Sequence, residues 1–228
     1  MNLPTTSTAS DRLVWFYGLY YISRLIADPV TAFLAAIIQL VQDGLAKAAD
    51  ATRKARAVKV VKQAIRDHSD LVLDEAVGAF ELFLLGLVSR NRDAALYRLY
   101  FPNGLQSVTR APLGSEVISV EVIESHLETA APELKAYGPK IRTAREALQK
   151  AIAELTQASR DVRLAVSNEM AARDAWVQAC RKTHGSLITL FPDKPAKAED
   201  YFRPRDIAEE PEVEASTPST SSEPPSVK

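Results

Sequence analysis

The residues best suited to chemistry in this sequence are a cysteine and a histidine one helical turn apart. Cys180 and His184 are four positions apart, so on a helix their side chains lie on the same face. A thiolate beside an imidazole can act as a nucleophile, or can bind a metal ion together with a second chain. Nothing else in the sequence marks an oxyanion site. We therefore favour a structural cysteine near a helix end, with the histidine facing the last carbonyl groups.

The other histidines give no metal-site pattern. A di-iron site in a helical bundle requires inward-facing Glu-x-x-His pairs, and none of His68, His126 and His184 has a glutamate three residues before it. One cysteine allows no intrachain disulfide and no multi-cysteine metal site. The sequence also contains no glycine-rich phosphate loop, Ser-His-Asp order, zinc knuckle or EF-hand. We predict no catalytic, cofactor-binding or metal-binding residues, and the sequence leans away from an enzyme.

Two isolated glutamates suggest one way in which the chain could be an enzyme, with an active site hidden in a helical core. Glu81 stands alone in the apolar segment 76–88, and we favour a narrow solvent-facing stripe shared with Asp74 over a catalytic acid. Glu169 occupies a repeat position where leucine or valine is expected, and Arg173 lies one turn further on. We favour a role for Glu169 in fixing helix register, with ligand contact and plain exposure as the alternatives.

A basic amphipathic stretch is the sharpest candidate for binding. Five basic residues lie across one half of the predicted helix: Arg53, Arg56, Lys59, Lys62 and Arg66. Valines and an isoleucine lie on the other half: Val58, Val61, Ile65 and Val72. Such a helix can follow nucleic-acid phosphates or an anionic membrane surface. We favour internal pairing or solvation instead, because an acidic helix over 115–136 offers a partner within the chain.

The densest aromatic cluster lies near the N-terminus and comprises Trp15, Phe16, Tyr17, Tyr20 and Tyr21. It predicts a helix that covers one end or side of the bundle. The alternative is an exposed docking surface, because tryptophan and tyrosine are enriched at protein interfaces.

Helices must position these candidates, and the clearest of the predicted helices is marked by a long heptad repeat. Six alanines recur every seven residues: Ala144, Ala151, Ala158, Ala165, Ala172 and Ala179. A second seven-residue series alternates with them: Ile141, Leu148, Leu155, Val162, Glu169 and Trp176. The steps of three and four residues predict one helix from Pro139 to about residue 183, supercoiled along an equally long partner.

The remaining pattern predicts an all-α, elongated up-and-down bundle of about four main helices. We expect a flexible N-terminus over 1–10, a helical bundle domain over 11–202 and a disordered acidic, Pro/Ser-rich tail over 203–228. One helix is expected from Pro29 to about Arg66, followed by a turn over 67–70. Phe-Pro pairs ninety positions apart suggest two duplicated helical hairpins, over 29–102 and 115–192.

Composition narrows the function without identifying it. The 228 residues carry a net charge of −1, so no overall field draws the chain to nucleic acid or membranes. No apolar run is long enough to span a bilayer, and we expect a cytoplasmic protein. The primary hypothesis is a non-enzymatic scaffold or spacer that self-associates or pairs with another helical protein. The alternative is a module that binds an anionic polymer or membrane surface through the basic stretch.

Overall fold

The structure of this chain, a computed structural model, describes residues 3–202. Within that range it contains seven α-helices, one π-helical segment and one 3-10 segment, and no strand. The prediction of an all-α, elongated bundle is therefore confirmed. The acidic tail predicted over 203–228 lies outside the described residues, as do the first two positions.

The helices follow one another with short connections. A π-helical segment (Arg12–Gly18) leads into α1 (Leu19–Ala27), and the first long helix is α2 (Ala32–Leu87). Four shorter helices come next: α3 (Ala95–Tyr100), α4 (Gln106–Thr109), α5 (Leu113–Glu128) and α6 (Pro132–Lys135). The second long helix is α7 (Gly138–Leu190), and a 3-10 segment (Pro195–Tyr201) ends the described chain.

The two long helices run antiparallel and form the axis of the molecule. They contain 56 and 53 residues, so each is about 80 Å long at about 1.5 Å per residue. Leu45 of α2 packs in the same cluster as Trp176 of α7, whereas Leu73 packs with Leu148. Because positions rise along one helix as they fall along the other, the helices point in opposite directions.

The predicted heptad seam of α7 faces its partner. Four of its alanines are buried, and the other two, Ala165 and Ala172, are half-buried. Ile141, Leu148 and Trp176 of the second series are buried as well. The long helix predicted after Pro139 is thus confirmed, although it continues to Leu190.

The apolar core is split between the two ends of this helix pair. The first core joins the N-terminal helices to the start of α2, the end of α7 and the 3-10 segment, with Leu13, Leu25, Ile38, Leu45, Trp176 and Tyr201 among its members. The second core joins the end of α2 and the start of α7 to the shorter helices, with Leu73, Phe80, Tyr97, Ile123 and Ile141 among its members. Between the cores α2 packs directly against α7.

α2 is continuous where a break was predicted. The end expected near Arg66 and the turn expected over 67–70 are both wrong, because the helix runs on to Leu87. No glycine or proline lies between positions 45 and 77, so nothing interrupts the backbone hydrogen bonds. Ser69 donates its hydroxyl to the Ile65 carbonyl at 2.9 Å, an interaction that a helix interior accepts.

This continuity changes the number of main helices. The long helices number two, rather than about four, and the shorter helices cover their ends. The range 29–102, expected to be a helical hairpin, consists mostly of α2 alone. Whether 29–102 and 115–192 arose by duplication stays a prediction.

Candidate interaction surface

The basic stretch lies in the central part of α2, between the two cores. Arg53 and Arg56 are exposed, whereas Lys59, Lys62 and Arg66 are half-buried. Lys59 and Arg66 continue a seven-residue series whose other members are buried: Ile38, Leu45, Thr52, Leu73 and Phe80. Lys59, Lys62 and Arg66 therefore lie on the side of α2 that faces α7, whereas Arg53 and Arg56 are directed to solvent.

Several of these basic side chains have carboxylate partners within the chain. Lys62 Nζ donates to Glu154 Oε2 of α7 at 2.7 Å, and this bond holds the pKa of Glu154 below its usual value. Arg53 pairs with Asp11 at 2.9 Å, and Arg66 pairs with the neighbouring Asp67 at 2.7 Å. Internal pairing of much of the stretch is thus observed in the geometry.

The partners of the acidic helix are different from those we expected. The α5 carboxylate of Glu124 accepts from Arg145 at 2.6 Å, and that of Glu128 accepts from Arg142 at 2.6 Å. Both arginines belong to α7. The prediction that α5 neutralises the basic stretch is wrong, because α5 packs in the second core while the basic stretch lies in the central segment.

Much of the apolar half of α2 is exposed, although Val72 is half-buried against the second core. We define the apolar face as the outward-facing residues Phe33, Ile37, Leu40, Gly44, Ala51, Val58, Val61 and Ile65, all of which are exposed. Leu40 keeps 75% of its surface and Val58 keeps 52%. Five of these residues recur every seven positions, so the face follows α2 along one side. Lys47 and Lys54 interrupt the series of Phe33, Leu40 and Val61, but this many exposed apolar residues on one side of a helix indicate an interaction surface.

A groove beside the apolar face separates the two long helices. It has a volume of about 360 Å³, and Lys47 together with the small residues Gly44, Ala48 and Ala51 of α2 forms one side. Leu164 and Ala165 of α7 form much of the other side. The small side chains leave the backbone of α2 open to close approach by another helix.

The N-terminal aromatic cluster divides between core and surface. Tyr17 and Tyr21 are buried, Phe16 and Tyr20 are half-buried, and Trp15 keeps 66% of its surface. Tyr21 packs against Phe202, with ring centroids 4.1 Å apart. Most of the cluster therefore covers the end of the bundle, and Trp15 alone is presented to solvent.

Glu169 connects the N-terminal segment to α7. Its Oε1 accepts from Ser10 Oγ at 2.5 Å and from Arg173 at 3.1 Å. Burial would raise the pKa of Glu169, but hydrogen bonds from Ser10, Thr52 and Arg173 bring it below its usual value. Arg173 also donates to the Thr6 carbonyl at 3.2 Å, so part of the N-terminus predicted as flexible is bound to α7. A register role for Glu169 stays a prediction.

Glu81 is not on a solvent-facing stripe, and that interpretation is wrong. The residue keeps only 3% of its surface, because α3 and the preceding turn fold back over α2. Glu81 Oε1 accepts from Tyr97 Oη at 2.8 Å and from Arg92 at 3.3 Å. The carboxylate thus holds α3 against the second core.

A second buried carboxyl, which the sequence did not single out, lies nearby on α5. Glu116 is buried, and burial together with Asp70 and Asp74 of α2 raises its pKa to about 8. Its position in the acidic segment 115–136 had suggested a partner for the basic stretch instead. The sequence signal that could have found it is its spacing from Val120, which lies one helical turn further on and therefore on the same face of α5. Val120 is fully buried.

The cysteine and histidine are not arranged as a nucleophilic pair. Cys180 is buried in the first core, and burial raises the pKa of its thiol well above the usual value. The His184 ring stands edge-on to Phe202, with centroids 5.4 Å apart. Among residues 3–202, no group of three or more metal-ligating side chains could hold a metal ion.

The same part of the chain has no helix that is both long and apolar enough to cross a membrane. The chain was also compared with models of protein families, with curated proteins and with solved structures, and no match was found.

Proposed function

We propose that this chain is a non-enzymatic scaffold or spacer, which binds a helical protein partner through the apolar face of α2. The partner is either a second copy or another helical protein. One observation carries the proposal. Lys59, Lys62 and Arg66 lie on the side of α2 that faces α7, while Val58, Val61 and Ile65 are exposed. Exposing apolar side chains is costly in water, and a partner that covers them recovers this free energy.

The length of the helix pair supports a spacer role. The two cores lie at opposite ends of helices about 80 Å long, and each end carries its own set of short helices. The central segment has room for a partner along its side, because no third helix of the described chain covers it.

Site-specific photo-crosslinking tests this proposal. A photoreactive amino acid would replace Leu40 in the apolar face, and a matched variant would carry it at Val60. Val60 keeps 67% of its surface but points to another side of α2. We expect protein adducts from position 40 and none from position 60 in the cells that produce the protein. Equal adducts from both positions, or none from position 40, would overturn the proposal.

Binding of an anionic polymer or membrane surface through Arg53, Arg56, Lys59, Lys62 and Arg66 stays a prediction. This prediction has weaker support than the first, because Arg53 and Lys62 already pair with carboxylates of the chain. Binding to DNA, RNA or anionic vesicles that weakens steeply with salt would be its signature.

A further inference from the structure

We infer that the partner of the apolar face is a second copy of this chain, with the two α2 helices antiparallel and in contact near Ala48. This inference rests on the proposed function, since it identifies the partner of the same face. Three observations lead to it: the order of large and small residues along the face, the order of charges beside it, and the area available.

The apolar face has large residues at both ends and small ones in the middle. Phe33 lies as far before position 49 as Ile65 lies after it, and Leu40 and Val58 are related in the same way. Gly44 and Ala51 lie near the centre with the half-buried Ala48 beside them, and Lys47 and Lys54 are the large residues there. A two-fold axis near position 49 would therefore place large side chains against large ones. It would also place the two backbones closest where the side chains are smallest.

The charges beside the face favour the antiparallel arrangement. Asp43 and Lys47 lie before position 49, and Asp50 and Lys54 lie after it; the two lysines belong to the same seven-residue series as Phe33, Leu40 and Val61. An antiparallel copy brings Lys54 of one chain toward Asp43 of the other, and Lys47 toward Asp50. A parallel copy would instead place each lysine beside the same lysine of its partner, which is unfavourable. Within one chain Asp50 already pairs with Lys54 at 2.6 Å, so the new contacts would extend an existing pair into a network.

The area of the face is near the lower limit for a specific contact, which favours a weak dimer. From Phe33 to Ile65 the face is about 48 Å long, and at a width of about 10 Å it offers about 500 Å² per chain. Two copies would bury about 1,000 Å² in total, near the lower limit of specific interfaces. Leu164, exposed on the α7 side of the groove, would add to this contact.

Measurement of molar mass tests the dimer. The chain has a mass of 25.0 kDa, and we expect light scattering or sedimentation equilibrium to approach twice that value between about 1 and about 100 micromolar. Val58→Asp would bury a carboxylate at the interface, opposite Leu40 of the second copy, and should weaken the dimer by about tenfold or more. Val60→Asp is the matched control and should leave the mass unchanged. A monomer throughout, or equal effects of the two substitutions, would overturn the inference.

Cysteine crosslinking tests the direction of the two copies. In the antiparallel arrangement Phe33→Cys in one chain lies near Ile65→Cys in the other, and a short bis-maleimide should join a mixture of the two variants. Phe33→Cys alone should give no dimer, because its two copies would be about 48 Å apart. The native Cys180 is buried and provides little background. A strong Phe33→Cys homodimer would show parallel packing and refute the inference.

The failure of this inference and that of the proposed function give different results. If the purified chain stays monomeric but position 40 still gives adducts with a different protein in cells, the second copy is rejected and the scaffold proposal stands. If position 40 gives no adduct of any kind, both are rejected. If the adduct has twice the mass of the chain, both are supported.

Discussion

Two buried residues, Glu116 and Gly18, are sensitive to their surroundings for different reasons. The Glu116 carboxyl has a pKa of about 8, above its ordinary value of 4.5, because it is buried beside Asp70 and Asp74. Gly18 lies so close to α2 that a β-carbon there would stand 1.8 Å from Oε1 of Gln42 and 2.9 Å from the Leu13 carbonyl oxygen. Both residues lead to predictions about stability.

We expect Glu116 to make the stability of the fold depend on pH. The folded state raises the pKa, so the protonated carboxyl contributes stability fully below about pH 4.5 and loses it as the pH rises through about 8. Glu116→Gln cannot ionise, so the fall in Tm between about pH 5 and about pH 9 should become shallower. Glu75→Gln, at an exposed position of α2, should keep the wild-type slope. Equal slopes for all three proteins would contradict this assignment.

We expect Gly18→Ala to destabilise the first core by about 1–3 kcal/mol, because the added methyl group meets the backbone of Leu13 as well as Gln42. The Tm should fall by several degrees, as measured by circular dichroism. Gly185→Ala provides the opposite control. No atom lies within 4 Å of a β-carbon there, and alanine favours a helix interior over glycine, so the Tm should rise. An unchanged Gly18→Ala protein would show that α1 can move away from α2 at no cost.

The buried face of a helix could be predicted where the apolar residues are the buried ones, as in α7. It could not be predicted in the centre of α2, where charged residues face the partner helix. The heptad of α7 was predictable because its small and large residues alternate without interruption. Its partner series on α2, from Ile38 to Phe80, was missed because Lys59 and Arg66 occupy its centre. The valines beside them mark a different face, one that is exposed. Hydropathy alone therefore does not identify the side of α2 that faces α7, and that side emerges only from the fold.

The series of α2 that faces α7 contains charged residues at its centre, and this leads to a prediction about the stability of the helix pair. Lys59 is half-buried against α7, so Lys59→Leu should add apolar contact with the alanine seam. We expect a gain of about 1 kcal/mol in the free energy of unfolding, or about 2–4 °C in Tm. Arg56→Leu, at an exposed position one turn earlier, should give no comparable gain. A lower Tm for Lys59→Leu would mean that the lysine is needed in the seam.

At the scale of the whole molecule, the sequence predicted the fold class and the long central helix but not the distribution of the core. A break was predicted in α2, but the helix is continuous. The segment 76–88 therefore lies in the second core, at the opposite end of the molecule from the first core. The interaction surface could be predicted only in part. Its residues were recognised as one side of an amphipathic helix, but which side faces solvent depends on contacts between residues about ninety positions apart, such as Lys62 with Glu154. Local spacing contains no information about such contacts.

The antiparallel long helices also determine how the molecule responds to mechanical force. Ser10 binds Glu169, and Tyr201 binds Asp28 at 2.7 Å, so both ends of the described chain are anchored at the first core. Tension applied between these ends would load the first core before any other part, and would then peel α2 from α7 one turn at a time. In this unzipping geometry the second core bears no load until the central segment has separated.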